Sequence, residues 1–483
     1  MPARLSAPVT SHESPVTIRF GTDGWRGIIA DDFTHENVRT VAYAIARYVV
    51  RAENPEAGVL VGYDNRFASE RFARTAADTL TLAGIPVFLA EQSSPTPAIS
   101  LLVRQRSAAG GIVITASHNP ANWNGVKYKA SYGSSALPSI VAQIEQELAK
   151  VLRDGVPALP PRPALLHSLD VRAPYLETLD KLVDWDRLKA ADFRFLIDPM
   201  HGSGAGLLKA LFDRHGIACL EIRGRRDPLF GGANPEPIEP HIEPMRAAIR
   251  AGHLHAGFAM DGDADRIGAM DADGTFVNPH QIFSILLWHL AGTRNISGDV
   301  AKTFSVTKLV DKLAAKFGRK LHETPVGFKY ICELMLERDV LLGGEESGGM
   351  GTKLHLPERD ATVSALLLAE VLAWHRKSLG EILRDLHAEF GEHHFGRVDL
   401  TLGPGKKEKA LEYFANRSLT RFLDAPIRNR EDMDGVKLYL GDAGWLMARG
   451  SGTEPMLRLY AETASAAMTR DILDRAAAFV RSL

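Results

Sequence analysis

Cysteine is nearly absent: Cys219 and Cys332 are the two in 483 residues. A single distant pair supports neither a disulfide framework nor a CxxC metal site, and it reads as a reducing compartment, here taken as cytoplasmic. An excess of charge is also lacking. Lys and Arg number 57 against 59 Asp and Glu, a net charge of −2, which offers no electrostatic footing for nucleic acid or a membrane surface. No apolar run approaches a membrane span. The opening "MPARLSAPVTSHESPV", residues 1–16, lacks the apolar stretch of an export signal and reads as a flexible tail. The remainder is ordinary for a globular chain, 45% hydrophobic and 24% charged. It is too long for one core, so three or four domains are expected.

The first third alternates strand and helix. "GVLVGY" and "IPVFL" are β-rich runs, separated by a helical pattern over Glu70–Ala83 that Gly84 ends. "GGIVIT" adds a short β-branched run of the kind found in central parallel strands. The pattern restarts after the proline-rich "GVPALPPRP" with "FRFLID", "IACLEI" and "HAGFAM". It restarts again after "DADGTFVNP" with "AKTFSV", "KLHE" and "DVLLGG". The expected fold is therefore α/β: three consecutive domains over 17–157, 165–273 and 274–392, with mixed, mostly parallel sheets. The last segment, 393–483, differs. "HFGRVDLTL", "GVKLYLG", "GWLMAR" and "MLRLYAE" with helices near Lys406–Ser418 and Ala466–Ser482 predict an antiparallel α+β domain.

Four stretches could carry chemistry. In "TASHNP", Ser117 follows the strand "GGIVIT", and open α/β sheets bind ligands at the carboxyl ends of their strands. Adjacent Ser117 and His118 do not make a Ser–His dyad, because neighbours in extended chain point apart. In "AMDGDADRIG", Asp261, Asp263 and Asp265 stand two apart just past a strand. On a loop they can gather round one hard cation, and without one they repel. An EF-hand is excluded, since Arg266 stands where its glycine belongs. "GGEESGG" sets paired acids among glycines, which suits either hydrogen bonding to sugar hydroxyls or a plain acidic loop. "RGSGTEPMLRLY" offers backbone N–H groups, two hydroxyls and Arg449 with Arg458, a possible phosphate cradle without the GK[ST] of a P-loop.

Taken in order, "FGTDGWRG", "TASHNP", "NPEP", "DGDADR", "TPVGFK", "GEESGG" and "RGSGTEP" resemble the α-D-phosphohexomutase superfamily, of phosphoglucomutase/phosphomannomutase type, over nearly the whole chain. The resemblance implies four domains round a central cleft, each giving one loop. It implies that Ser117 carries a phosphoryl group, and that Asp261, Asp263 and Asp265 bind Mg²⁺ together with an oxygen from Ser117. It further implies that Glu345 and Ser347 read sugar hydroxyls, and that Arg449, Ser451, Gly452, Thr453 and Arg458 hold the non-reacting phosphate. Arg26 and Lys127 fall at positions of active-site cations, Lys127 as general base, its basicity tuned by Arg26 and the metal. His118 joins the catalytic set, and Arg266, Gly327, Lys329 and Arg359 the substrate-binding set. Gly349 stands where some members have histidine, and His355 is a candidate for part of that role. The implied activity interconverts a hexose 1-phosphate and its 6-phosphate, glucose before mannose or glucosamine, with glucose 1,6-bisphosphate as activator. A monomer or homodimer is expected. The rival readings are a metal-dependent sugar phosphatase, which has no need of a second phosphate cradle, and an inactive sugar-phosphate-binding protein.

Overall fold

The computed structural model describes residues 18–21, 24–441, 444–450 and 456–483. The tail reading for 1–16 therefore lies outside the described residues. Four main sheets follow one another along the chain. In the first, Gly110–Ile114, Val59–Tyr63, Val87–Ala90 and Leu166–Leu169 run parallel, while Trp123–Ala130 and then Trp25–Ile28 add antiparallel edges. The strand after the proline-rich linker, Leu166–Leu169, was expected with the second domain. It instead pairs with Val87–Ala90, so the linker wraps round and the chain leaves the first sheet only afterwards.

The second and third sheets repeat one plan. Ala256–Met260 lies parallel to Phe195–Asp198, and Val340–Gly344 lies parallel to Asp299–Thr303. Each then turns through a tight loop into an antiparallel partner, Ile267–Asp271 or Met350–Thr352. Gly110–Ile114 does the same with Trp123–Ala130. The loops at Ser117, at Asp261 and at Glu345 are thus equivalent turns in three repeats.

The fourth sheet is antiparallel throughout, ordered His394–Thr401, Met456–Thr463, Trp445–Gly450, Val436–Tyr439, Asn429–Glu431. Alternation gives it two unlike faces. Leu400, Leu438, Leu446, Ala448, Leu457 and Leu459 pack on the helices Lys406–Ala415 and Ala466–Ser482. The other face carries Arg397, Arg449, Arg458, Lys437, Tyr460 and Glu462. It meets the third domain through Phe304, and Lys437 donates to the Phe304 carbonyl. No helix among the described residues is long and apolar enough to cross a membrane.

Candidate active site

Ser117 is buried, and its backbone is left-handed, with φ of 54°. A non-glycine residue rarely holds that conformation without support. Here the support is explicit. The Ser117 N–H donates to Thr115 Oγ1 at 2.9 Å, and Arg66 Nη2 donates to the Ser117 carbonyl at 2.6 Å. The turn lifts the side chain off the sheet, and Ser117 Oγ donates to Asp261 Oδ2 at 2.6 Å.

The aspartate loop is drawn in just as tightly. A Cβ on Gly262 would lie 2.5 Å from the Ser117 carbonyl oxygen, so only glycine lets the two loops approach. Asp261, Asp263 and Asp265 are fully buried and present ligand oxygens within 4.8 Å of one another. The Asp263 and Asp265 Oδ1 atoms are buried with no hydrogen-bond partner among the described residues, as an incoming cation would require. Burial, then Asp265 and Asp263, push Asp261 well above the usual carboxylate range. For Asp263 burial pushes upward too, but Lys127, Thr96 and Arg359 outweigh it and hold the group below its ordinary value. Hard oxygen donors, orphaned lone pairs and mutual repulsion fit Mg²⁺.

Lys127 lies on the strand Trp123–Ala130, and its Nζ donates to Asp263 Oδ2 at 2.8 Å and Asp265 Oδ2 at 3.0 Å. Both carboxylates belong to the aspartate loop, so Lys127 ties the serine-bearing domain to the second domain. Arg26 Nη1 donates to Asn119 Oδ1, beside the serine turn. His118 Nδ1 is buried without a partner among the described residues. Burial, then Arg266 and Arg26, push its pKa well below the ordinary value, so the ring is neutral.

The third loop leans on the second. Arg266 and Gly349 form a bridge, and the Ile267 N–H donates to the Gly348 carbonyl. Arg359 ties the two chemically, donating from Nη2 to Asp265 Oδ2 at 2.8 Å and from Nη1 to Glu345 Oε2 at 3.3 Å. Ser347 Oγ is buried and has no hydrogen-bond partner among the described residues. Gly327, with φ of 134°, opens the helix Phe328–Glu337, on which Lys329 is half-buried. His355 sits 3.2 Å from Asp360 Oδ2 and edge-on to Tyr175.

Arg449 and Arg458 face each other across adjacent strands. Like charges so placed repel, and carboxylates offset them. Asp434 accepts from Arg449 Nε at 3.0 Å, and Asp399 lies 3.6 Å from Arg458 Nε. Asp434 also accepts from the Val326 N–H at 2.9 Å, which joins the fourth domain to the "TPVGFK" loop. Ser451, Gly452 and Thr453 lie outside the described residues.

Four participants escaped sequence reading. Arg66 and Asp64 sit under the serine turn, Thr96 donates to Asp263 Oδ2 at 2.5 Å, and Arg397 donates twice to Asp399 at 2.8 Å, next to Arg458. The signal for the first pair was the polar "DNR" at the end of a buried strand, the same context that marked Ser117.

Three α/β repeats feeding loops to one buried serine–carboxylate centre, with an arginine-bearing domain behind it, define a phosphohexomutase, an isomerase that works as an intramolecular phosphotransferase. Comparison with known proteins agrees. Residues 17–153, 173–274 and 278–390 match the models of alpha/beta/alpha domains I, II and III of phosphoglucomutase/phosphomannomutase, and 415–479 match its C-terminal domain. The chain belongs to the phosphoglucomutase/phosphomannomutase family, within the α-D-phosphohexomutase superfamily. It is 27% identical to a phosphoglucomutase/phosphomannomutase of Thermococcus kodakarensis, covering 94% of this chain and 96% of that one. It is 30% identical to a phosphoglucosamine mutase of Carboxydothermus hydrogenoformans, covering 96% and 99%. Among solved structures, a Thermus thermophilus protein provisionally described as a phosphomannomutase superposes with a TM-score of 0.85 at 34% identity, covering 96% and 99%.

Proposed function

We propose that the chain interconverts glucose 1-phosphate and glucose 6-phosphate through a phosphorylated Ser117 and a 1,6-bisphosphate, with glucose 1,6-bisphosphate as activator. The observation that carries this is the 2.6 Å contact of Ser117 Oγ with Asp261, inside a cluster of three buried carboxylates. The "GEESGG" form of the sugar loop, with Gly349 in place of histidine, favours glucose over glucosamine. The similar proteins carry all three sugar names, so specificity is the part to test. Coupled assays with glucose, mannose and N-acetylglucosamine 1-phosphates, each with its bisphosphate, should show the highest kcat/KM for glucose.

Asp261, Asp263, Asp265 and a phosphate oxygen on Ser117 would hold Mg²⁺, which when bound supplies positive charge to the transferring phosphoryl group. In the forward half-reaction the bond from Ser117 Oγ to phosphorus breaks and one from the sugar hydroxyl oxygen forms. Lys127, as general base, takes the hydroxyl proton. Arg26 and neutral His118 line the serine turn. The bisphosphate then reverses in the cleft and returns its other phosphoryl group to Ser117. Glu345 and Ser347, with Arg266, Gly327, Lys329 and Arg359 around them, hold the ring in either orientation. Arg449, Ser451, Gly452, Thr453 and Arg458 grip whichever phosphate is idle.

Glu345 gives a pH signature. Burial raises it, Arg359 opposes and Glu346 adds, leaving it at about 7 against an ordinary 4.5. A protonated carboxyl is a poor acceptor for sugar hydroxyls. The KM for glucose 1-phosphate should therefore climb as pH falls below about 7. Glu345→Gln should flatten that climb and raise KM at pH 8 by roughly 5- to 100-fold, the loss of one charged acceptor. Stability runs the other way. Between 4.5 and about 7 the folded state keeps a proton that the unfolded chain releases, so this group's contribution, full below 4.5, is lost as pH rises.

Arg449→Ala should weaken monophosphate binding and let the bisphosphate escape. The expected result is a KM raised by about tenfold or more and a stronger dependence on added glucose 1,6-bisphosphate. Activation curves that superimpose on the parent's would remove Arg449 from the clamp.

A further inference from the structure

The serine and aspartate loops belong to different domains, yet the placement of a serine hydroxyl relative to its partners must be held to a fraction of an ångström for transfer to work. Something outside the reacting groups has to fix that spacing. The turn after the strand Val59–Tyr63 is placed to do it.

Arg66 is fully buried and uses all five of its N–H donors. Nη2 donates to the carbonyls of Ser117 at 2.6 Å and Asn119 at 2.7 Å. Nη1 donates to those of Pro120 at 2.7 Å and Trp123 at 3.0 Å, and Nε to Asp64 Oδ2 at 3.1 Å. Asp64 Oδ2 also accepts from Thr115 Oγ1 at 2.6 Å, and that oxygen accepts the Ser117 N–H. The left-handed turn at Ser117 is therefore pinned from both of its ends by Asp64 and Arg66.

Asn65, between them, faces the other domain. Its amide donates to the carbonyls of His201 at 2.8 Å and Gly202 at 2.9 Å. Gly202 lies hard against the aspartate loop: a Cβ there would be 2.8 Å from the Gly262 oxygen and 2.9 Å from the Asp261 oxygen. The Ser203 N–H donates to the Gly262 carbonyl at 3.0 Å. These contacts close a ring that runs Ser117, Arg66, Asn65, Gly202, Asp261 and back to Ser117.

We infer that Asp64, Asn65 and Arg66 are positioning residues that set the spacing of Ser117 to the aspartate cluster across the domain boundary. The inference rests on the reading of Ser117 as phosphoryl carrier. Asn65 is the informative member, because among the described residues its side chain hydrogen-bonds to the carbonyls of His201 and Gly202 and to neither the serine turn nor the three carboxylates. Asn65→Ala should lower kcat by about tenfold to a hundredfold, as loss of an outer-shell partner does, with KM for glucose 1-phosphate held within about twofold.

The decisive readout is Mn²⁺ binding to unphosphorylated and phosphorylated enzyme, by electron paramagnetic resonance. Phosphorylation of the parent adds a ligand oxygen and should tighten Mn²⁺. In Asn65→Ala that gain should shrink, while binding to the unphosphorylated form stays near the parent's. Asn65→Asp, of equal size but with a carboxylate facing two carbonyls, should behave the same way and serves if the alanine variant fails to fold. Equal kcat and an equal gain in both proteins would overturn the inference. Failure of the parent to take phosphate on Ser117 from glucose 1,6-bisphosphate, by peptide mapping, would instead overturn the assignment of the carrier.

Discussion

Ser117→Ala should lower kcat by more than about a thousandfold, the scale seen when an acceptor nucleophile is removed, and leave the protein folded. The hydroxyl makes one side-chain contact, to Asp261 Oδ2. The turn around it is held by backbone groups that alanine keeps, the N–H to Thr115 and the carbonyl to Arg66. What the fold loses is a partner for one buried carboxylate oxygen, about 1–3 kcal/mol. Asp261 is pushed well above the usual range by burial and its acidic neighbours, so it can hold a proton in answer. Three measurements check this together: the coupled mutase rate, the thermal melt, and the site of phosphate after incubation with glucose 1,6-bisphosphate. Phosphate on a different residue, or a variant that retains its rate, would contradict the assignment.

Asp263→Asn should have the second largest effect, a fall in kcat of about a hundredfold or more with a smaller change in KM. Charge that acts on the transferring group is felt mostly in the transition state. Asn keeps the shape and the Thr96 contact but removes one of three negative charges. It also leaves Asp265 as the carboxylate partner of Lys127. Metal affinity should fall with it, so the Mg²⁺ concentration for half-maximal rate should rise, and calorimetry with Mn²⁺ alone should show weaker binding. Parent activity that survives excess chelator would argue against any cation in this cluster.

Some of this was legible in the sequence because it is local. The β-branched runs and glycine stops gave the α/β repeats and the antiparallel final domain, and the three aspartates announced themselves by spacing alone. The strand Trp123–Ala130 was not legible. Its "WNGVKYKA" carries Lys127 and Lys129, which propensity assigns to a surface, yet both are buried. Each is matched by carboxylates from another domain, Asp263 and Asp265 for one and Glu358 for the other. A charge neutralised by a residue more than a hundred positions away leaves no mark on its neighbours in the chain. Arg66 hid for a related reason: apart from Asp64 two residues before it, its hydrogen-bond partners are four main-chain carbonyls, and any sequence supplies those. His355 lies near Arg359 in the chain, and its carboxylate neighbour is Asp360, while Arg359 reaches Asp265 and Glu345.

One apolar cluster runs without a break from Leu60 and Ile99 through Phe258 to Leu386, crossing all three α/β units, whereas the last domain keeps a separate cluster from Leu400 to Val480. The first domain adds a second cluster of its own, from Ile18 to Val151. Parting the first three domains would wet the interior they share. The last meets them through a small buried cluster of its own, Phe304 with Trp445, Met447 and Tyr460, and through hydrogen bonds such as that from Lys437 to the Phe304 carbonyl. A swing of that domain would leave the two large interiors dry and wet only this small cluster. In the proposed cycle, where a bisphosphate turns over in the cleft, the free energy of opening would be set at that seam, separately from the interior shared by the first three domains. Heat tolerance and turnover can accordingly drift apart among relatives, the one written in the shared interior and the other in the seam.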